Sequence, residues 1–126
     1  MSEPNIVQCT WQDVDDYLTH LVDNLDAKYF SGVYGIPRGG LVLSSWLSHK
    51  MCLPLLSAPA DRCIIIDDIC DSGESLVHFV KNTSGSIDPR HYYITTMYHK
   101  PNKLNVKPDY YYALKEDKWI IFPWEV

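Results

Sequence analysis

The residues best suited to chemistry lie between Cys63 and Leu76, in the stretch CIIIDDICDSGESL. Asp67 and Asp68 are neighbouring carboxylates, Asp71 follows closely, and Ser72-Gly73-Glu74-Ser75 makes a short turn of mostly small residues. Such a turn, entering a helix, can cradle a phosphate with backbone N–H groups and hydroxyls, and the helix dipole favours the negative charge. Two aspartates beside an anion make sense only if they face sugar hydroxyls or a divalent cation. Without a ligand, the same residues read as a buried strand ending in an acidic helix cap. A second anion-binding stretch is Pro37-Arg38-Gly39-Gly40. Its glycines let backbone amides approach an anion closely, and Arg38 adds a charged donor.

The surrounding pattern predicts the elements that position these residues. Thr10 is a helix N-cap with Asp13 as the capping-box acid, and Trp11, Val14, Tyr17, Leu18, Leu21, Val22 and Leu25 recur at helical spacing as far as about Ala27. Tyr29–Ile36 reads as the first sheet strand, and Leu41, Val42, Leu43, Trp46 and Leu47 as the apolar face of a second helix. Met51–Ser57, interrupted by Pro54, reads as a second strand near an edge. Cys63–Ile66 is apolar throughout, as in a strand buried on both faces of a parallel sheet, with Asp67 and Asp68 at its carboxyl end. A helix from Ser75 to about Lys81, a loop at Thr83–Ser86, and strands at His91–Tyr98 and Tyr110–Ala113 complete the reading. The expected architecture is α/β. It has a parallel sheet of four to five strands flanked by helices, with a small C-terminal hood over the strands' carboxyl ends, where ligands bind in open α/β sheets.

With 126 residues, the chain is expected to form one domain over residues 1–126. The net charge of −5 offers no basic stripe for nucleic acid. No apolar run is long enough to span a membrane, and the first residues lack a signal peptide's apolar core. Cys9, Cys52, Cys63 and Cys70 show no C-x-x-C spacing, which suits reduced thiols and a cytoplasmic location. The five histidines form no metal-ligand pattern.

The stretch around Asp67 resembles the phosphoribosyl-pyrophosphate (PRPP) signature of the type I phosphoribosyltransferases, an apolar strand followed by DD-x-x-D-[ST]-G-x-[ST]. GVYGIPRGG, followed by an apolar helix, is similar to the pyrophosphate loop of the purine-salvage branch. In that family the peptide before the basic residue, here Pro37–Arg38, is often cis. Lys100-Pro101 and the ending Trp119-Ile120-Ile121-Phe122-Pro123-Trp124-Glu125 resemble the xanthine-guanine and hypoxanthine enzymes.

The resemblance implies transfer of a phosphoribosyl group from PRPP to a purine, with Mg²⁺ as cofactor and homo-oligomeric association. It places Asp67 and Asp68 at the ribose and metal shell, mostly through water, and Asp71 as general base at the purine N7. Asp71, Ser72, Gly73, Glu74 and Ser75 would hold the 5′-phosphate, with the Glu74 side chain turned to solvent. Arg38 and Gly39 would hold pyrophosphate. Lys100 would donate to the 6-oxo group, Trp119 would stack on the base, and the Ile120 backbone would meet its edge. Apart from the resemblance, Lys100 reads as a solvated lysine, and Trp119 and Trp124 as packing aromatics.

One departure stands out. Relatives carry a long flexible lid before the signature strand, but here only Ala58-Pro59-Ala60-Asp61 separates Ser57 from Arg62. Lids exclude water and complete the site. The implied alternative to an enzyme is therefore a module that binds PRPP or a purine nucleotide without turnover.

Overall fold

The computed structural model describes residues 5–74, 76, 78, 92–104 and 107–125. Helix α1, Trp11–Asn24, starts as the capping pattern requires. The Thr10 hydroxyl accepts from the Asp13 N–H at 3.0 Å, and the Asp13 carboxylate accepts from the Thr10 N–H at 2.9 Å. Val14, Tyr17, Leu18 and Leu21 are its buried face. It stops short of Ala27 because Leu25 turns to an extended conformation, and Asp26 then caps a short 3₁₀ turn at Ala27–Tyr29. That turn occupies the start of the strand expected at Tyr29–Ile36, so β2 is only Gly32–Gly35.

Helix α2 is Leu41–Met51, ended by Cys52 in the left-handed region. The expected strand at Met51–Ser57 does not form. Met51 belongs to α2, and Pro54 has no N–H to donate to a ladder. A single parallel bridge, Val33 with Leu55, lies beside β2. There the Pro54 carbonyl accepts from the Val33 N–H at 2.9 Å, and the Leu56 N–H donates to the Val33 carbonyl at 2.8 Å. The edge placement was legible, but the strand was not.

β3 runs from Cys63 to Cys70, four residues beyond the apolar run. Asp67 and Asp68 thus lie inside the strand instead of after it, and Asp67 pairs with Thr96. β4 is Tyr93–His99 and β5 is Tyr110–Leu114. The main sheet has four parallel strands in the order β2-β3-β4-β5. Ile64 and Ile66 pack into one core with α1 and α2, while Cys63 and Ile65 pack with Tyr34, Ile36 and Ile94 in another. Two cores on one strand explain a run without polar alternation. The helix expected from Ser75 and the loop at Thr83–Ser86 lie outside the described residues, save Leu76 and His78, which are helical like Glu74.

The hood is a second parallel sheet of two strands. β1, Ile6–Gln8, pairs with β6, Trp119–Ile121, so the hood draws on both ends of the sequence and not on the C-terminal tail alone. Three residues of β1 are too few to show a period. The hood is fastened to the sheet by apolar contact. Phe122 meets Tyr98 edge to face at 5.8 Å between ring centroids and stacks on Trp124 at 4.8 Å, and Cys9, Ile120 and Phe122 join the main core. All four cysteines are free thiols. Among the described residues, no helix is long and apolar enough to cross a membrane.

Candidate functional site

The carboxyl ends of the sheet strands are tied to one another residue by residue. The Lys100 N–H donates to the Cys70 carbonyl at 2.8 Å, and the Lys115 N–H donates to the His99 carbonyl at 2.8 Å. Over this edge lies a cleft of about 340 Å³. Asp68, Asp71, Ser72 and Gly73 line one end, Trp119, Ile120, Phe122 and Glu125 the other, and Lys115 also reaches it. Trp119 is 68% exposed, the highest value among the large apolar side chains of the described residues. An indole left open at a cleft is available to stack on a flat ligand.

The acidic pair is costly as it stands. Asp67 is 7% exposed, and its carboxyl is pushed up to about 8, first by burial and then by the charge of Asp68. Burial also raises Asp68, with the Glu125 charge adding to the effect. Each carboxylate accepts from the next backbone N–H, Asp67 from Asp68 at 2.8 Å and Asp68 from Ile69 at 2.7 Å. A buried and a half-buried carboxylate that resist losing both protons are a fitting donor set for a hard divalent cation. Among the described residues, no cluster of three or more His, Cys, Asp or Glu could hold a metal ion alone. Cys70 lines the cleft, but burial raises its thiol to about 11, so it is no nucleophile at neutral pH.

The two sequence motifs meet. A Cβ built on Gly39 would run into the Asp68 carboxylate, and one on Gly40 into the Ile66 carbonyl. Only glycine lets the 36–40 loop lie this close to β3. The loop is closed by Ile36 N–H to the Ile66 carbonyl at 2.9 Å and Gly40 N–H to the Ile36 carbonyl at 2.8 Å. Its Pro37–Arg38 peptide is cis. Arg38 itself is exposed and does not line the cleft. In the acidic turn Gly73 has φ 83°, a conformation that excludes most other residues, and the Ser72 hydroxyl accepts from the Glu74 N–H at 3.2 Å. Glu74 is exposed, and Ser75 lies outside the described residues.

Lys100 stands apart from the cleft lining. Its ammonium is 3.0 Å from Asp117, whose side chain is 93% exposed, and this partner raises the lysine while lowering the aspartate. Lys115 went unread in the sequence. Its ammonium is 3.1 Å from the Asp71 carboxylate, and its side chain is only 13% exposed. The available signal was position, because the residue after a parallel strand's carboxyl end faces the site in open α/β sheets. Glu125 was read only as the last residue of the matching ending, with no role assigned. Its carboxylate accepts from the Phe122 N–H at 2.9 Å and also lines the cleft.

No protein-family model matches the chain. It is 24% identical over 124 residues to a xanthine-guanine phosphoribosyltransferase of Desulfotalea psychrophila, spanning 80% of this chain and 74% of that protein. A solved purine phosphoribosyltransferase from Pyrococcus horikoshii superposes with a TM-score of 0.81 at 28% identity, covering 96% of this chain and 95% of its own. The Helicobacter pylori xanthine-guanine-hypoxanthine phosphoribosyltransferase, at 19% identity, shares the fold with a TM-score of 0.75 over 97% of this chain and 95% of its own. The parallel sheet, its flanking helices and its hood are the α/β fold of a type I phosphoribosyltransferase. Within that class, the relatives support the purine-salvage family, whose named members are phosphoribosyl-, and hence glycosyl-, transferases.

Proposed function

We propose that the chain transfers the 5-phosphoribosyl group of PRPP to a 6-oxopurine (guanine, xanthine or hypoxanthine) and releases pyrophosphate. The observation that carries this reading is the continuity of the cleft. It runs from Asp68 and the Asp71–Gly73 turn to Trp119 and Ile120, with Gly39 of the second loop packed on Asp68.

In this reading the bond from C1′ to pyrophosphate breaks with its electron pair leaving on pyrophosphate, and a purine ring nitrogen bonds to C1′. Asp71 accepts the proton released at N7. Ser72, Gly73, Glu74 and Ser75 hold the 5′-phosphate with Asp71 at their border, and Arg38 and Gly39 receive pyrophosphate. Trp119 stacks on the base, the Ile120 backbone meets its edge, and Lys100, once drawn from Asp117, donates to the 6-oxo group. Asp67 and Asp68 orient the ribose hydroxyls and would hold Mg²⁺, mostly through water. Bound there, Mg²⁺ supplies charge neutralisation for the leaving group. An acidic cleft lined by Asp68, Asp71 and Glu125 needs such a countercharge before it can take a polyphosphate.

A second reading is favoured by the openness of Trp119 and by the short Ser57–Arg62 connection: a module that binds PRPP or a purine nucleotide without transfer. A homo-oligomeric partner covering the opening would restore shelter and favour transfer. Labelled PRPP incubated with a purine panel separates the two. Labelled nucleotide supports the transferase, and saturable binding without product supports the module.

A further inference from the structure

β1 takes no part in the proposed transfer, yet its exposed isoleucine lies beside the indole at the base end of the cleft. Ile6 is the register partner of Trp119, Val7 of Ile120, and Gln8 of Ile121. Paired strands lie about 4.8 Å apart, and register partners present their side chains on the same face. Ile120 is buried in the main core and Val7 packs against that core, so this pair takes the inner face of the hood. Side chains alternate along a strand, so Ile6 and Trp119 emerge together on the outer face. There they are 54% and 68% exposed. The Trp119 N–H donates to the Asn5 carbonyl at 2.8 Å, which ties the indole's backbone to the residue before Ile6. Trp119 lines the cleft and Ile6 does not.

An indole this exposed is free to change rotamer, and a ligand that stacks on it must end that freedom. A neighbour on the same face can restrict the ring in advance. Isoleucine suits the task, because its branch at Cβ makes it stiff and keeps its bulk close to the strand. We infer that Ile6 is a positioning residue for Trp119. It backs the indole on the outer face of the hood and holds the ring in the orientation that receives a flat heteroaromatic base, without touching the base itself. The inference rests on the purine-transfer reading, in which Trp119 stacks on the base. Affinity at the base end thus depends on β1, at the opposite end of the sequence from the ring it orients.

The test compares Ile6→Ala, Ile6→Val, Gln8→Ala, Trp119→Ala and the variant carrying both Ile6→Ala and Trp119→Ala. Each is titrated by calorimetry with inosine monophosphate and, separately, with PRPP and Mg²⁺. Ile6→Ala is expected to weaken inosine monophosphate binding by about two- to tenfold, the range for immobilising one side chain, and to spare PRPP. Ile6→Val keeps the Cβ branch and is expected to bind like the unaltered protein. Gln8→Ala, on the same face of the same strand, is expected to do so too. With Trp119→Ala already present, Ile6→Ala should cost nothing more, because no ring is left to orient. Ile6 is more than half exposed, so its truncation should leave Tm nearly unchanged. Normal nucleotide affinity in Ile6→Ala, an equal loss from Gln8→Ala, or additive losses in the double variant would overturn the assignment. Normal nucleotide binding by Trp119→Ala, or none by the unaltered protein, would instead overturn the stacking or the transfer reading and remove this inference with it.

Discussion

Asp67 and Asp68 set the behaviour of the site before any ligand arrives. The Asp67 carboxyl moves from its usual 3.8 up to about 8 because burial and Asp68 both oppose its charge. Between those values the folded protein keeps a proton that the unfolded chain has released. Folding stability therefore falls as pH rises through that window, opposite to the usual salt-bridged aspartate. Thermal denaturation should show Tm declining between about pH 5 and 8, with Mg²⁺ adding more at pH 8 than at pH 5. Asp67→Asn should flatten the decline while weakening Mg²⁺-dependent PRPP binding. An unchanged pH profile in that variant would place the cost elsewhere. At the base end, Trp119→Ala should cost nucleotide binding on the order of 1–3 kcal/mol, as for other base–aromatic stacks, with little loss of stability because the ring is 68% exposed. Titration of nucleotide against indole fluorescence measures it, and normal binding by the variant would refute the stack.

Elements explain which parts of this site could be read in advance. The Thr10–Asp13 cap, α2, the four parallel strands and the acidic turn announce themselves through local chemistry, since caps, apolar runs and glycines act within a few residues. β1 and the Lys115–Asp71 contact do not, because each exists only through partners distant in sequence. The strand expected at Met51–Ser57 failed for the converse reason. Its residues suit an edge, yet α2 claims the first and Pro54 breaks the ladder. The meeting of Gly39 with Asp68 yields a prediction at this scale. Gly39→Ala should displace the Asp68 carboxylate and weaken PRPP binding by about tenfold, within the usual penalty for overpacking, while the chain stays folded. Calorimetry with PRPP checks it, and unaltered affinity would show that the loop yields freely.

For the molecule as a whole, the decisive feature is the short path from the Leu55 bridge to β3. In the transfer reading, with nothing longer there to fold over the ribose, one side of the site would face water, and the dipoles around it would be screened. Turnover should be slow beside that of lidded enzymes, with a measurable share of PRPP hydrolysed. A relative's lid grafted between Ser57 and Arg62 should raise the ratio of transfer to hydrolysis, read from labelled products. Full-speed, hydrolysis-free transfer by a strict monomer would make the lid dispensable.

The pairing of β1 with β6 bears on how the protein is made. During synthesis Ile6–Gln8 leaves the ribosome before the main sheet, yet its strand partner Trp119–Ile121 emerges after β2 to β5 have been translated. Contacts across such a span of chain form late, since the intervening loop must close first. Until then Tyr98 and Met97 lack the cover that Phe122 and Cys9 later provide. The nascent protein can thus form the Asp68–Gly73 end of the cleft while the Trp119–Phe122 end is still missing. The cleft is completed only when β1 and β6 find each other.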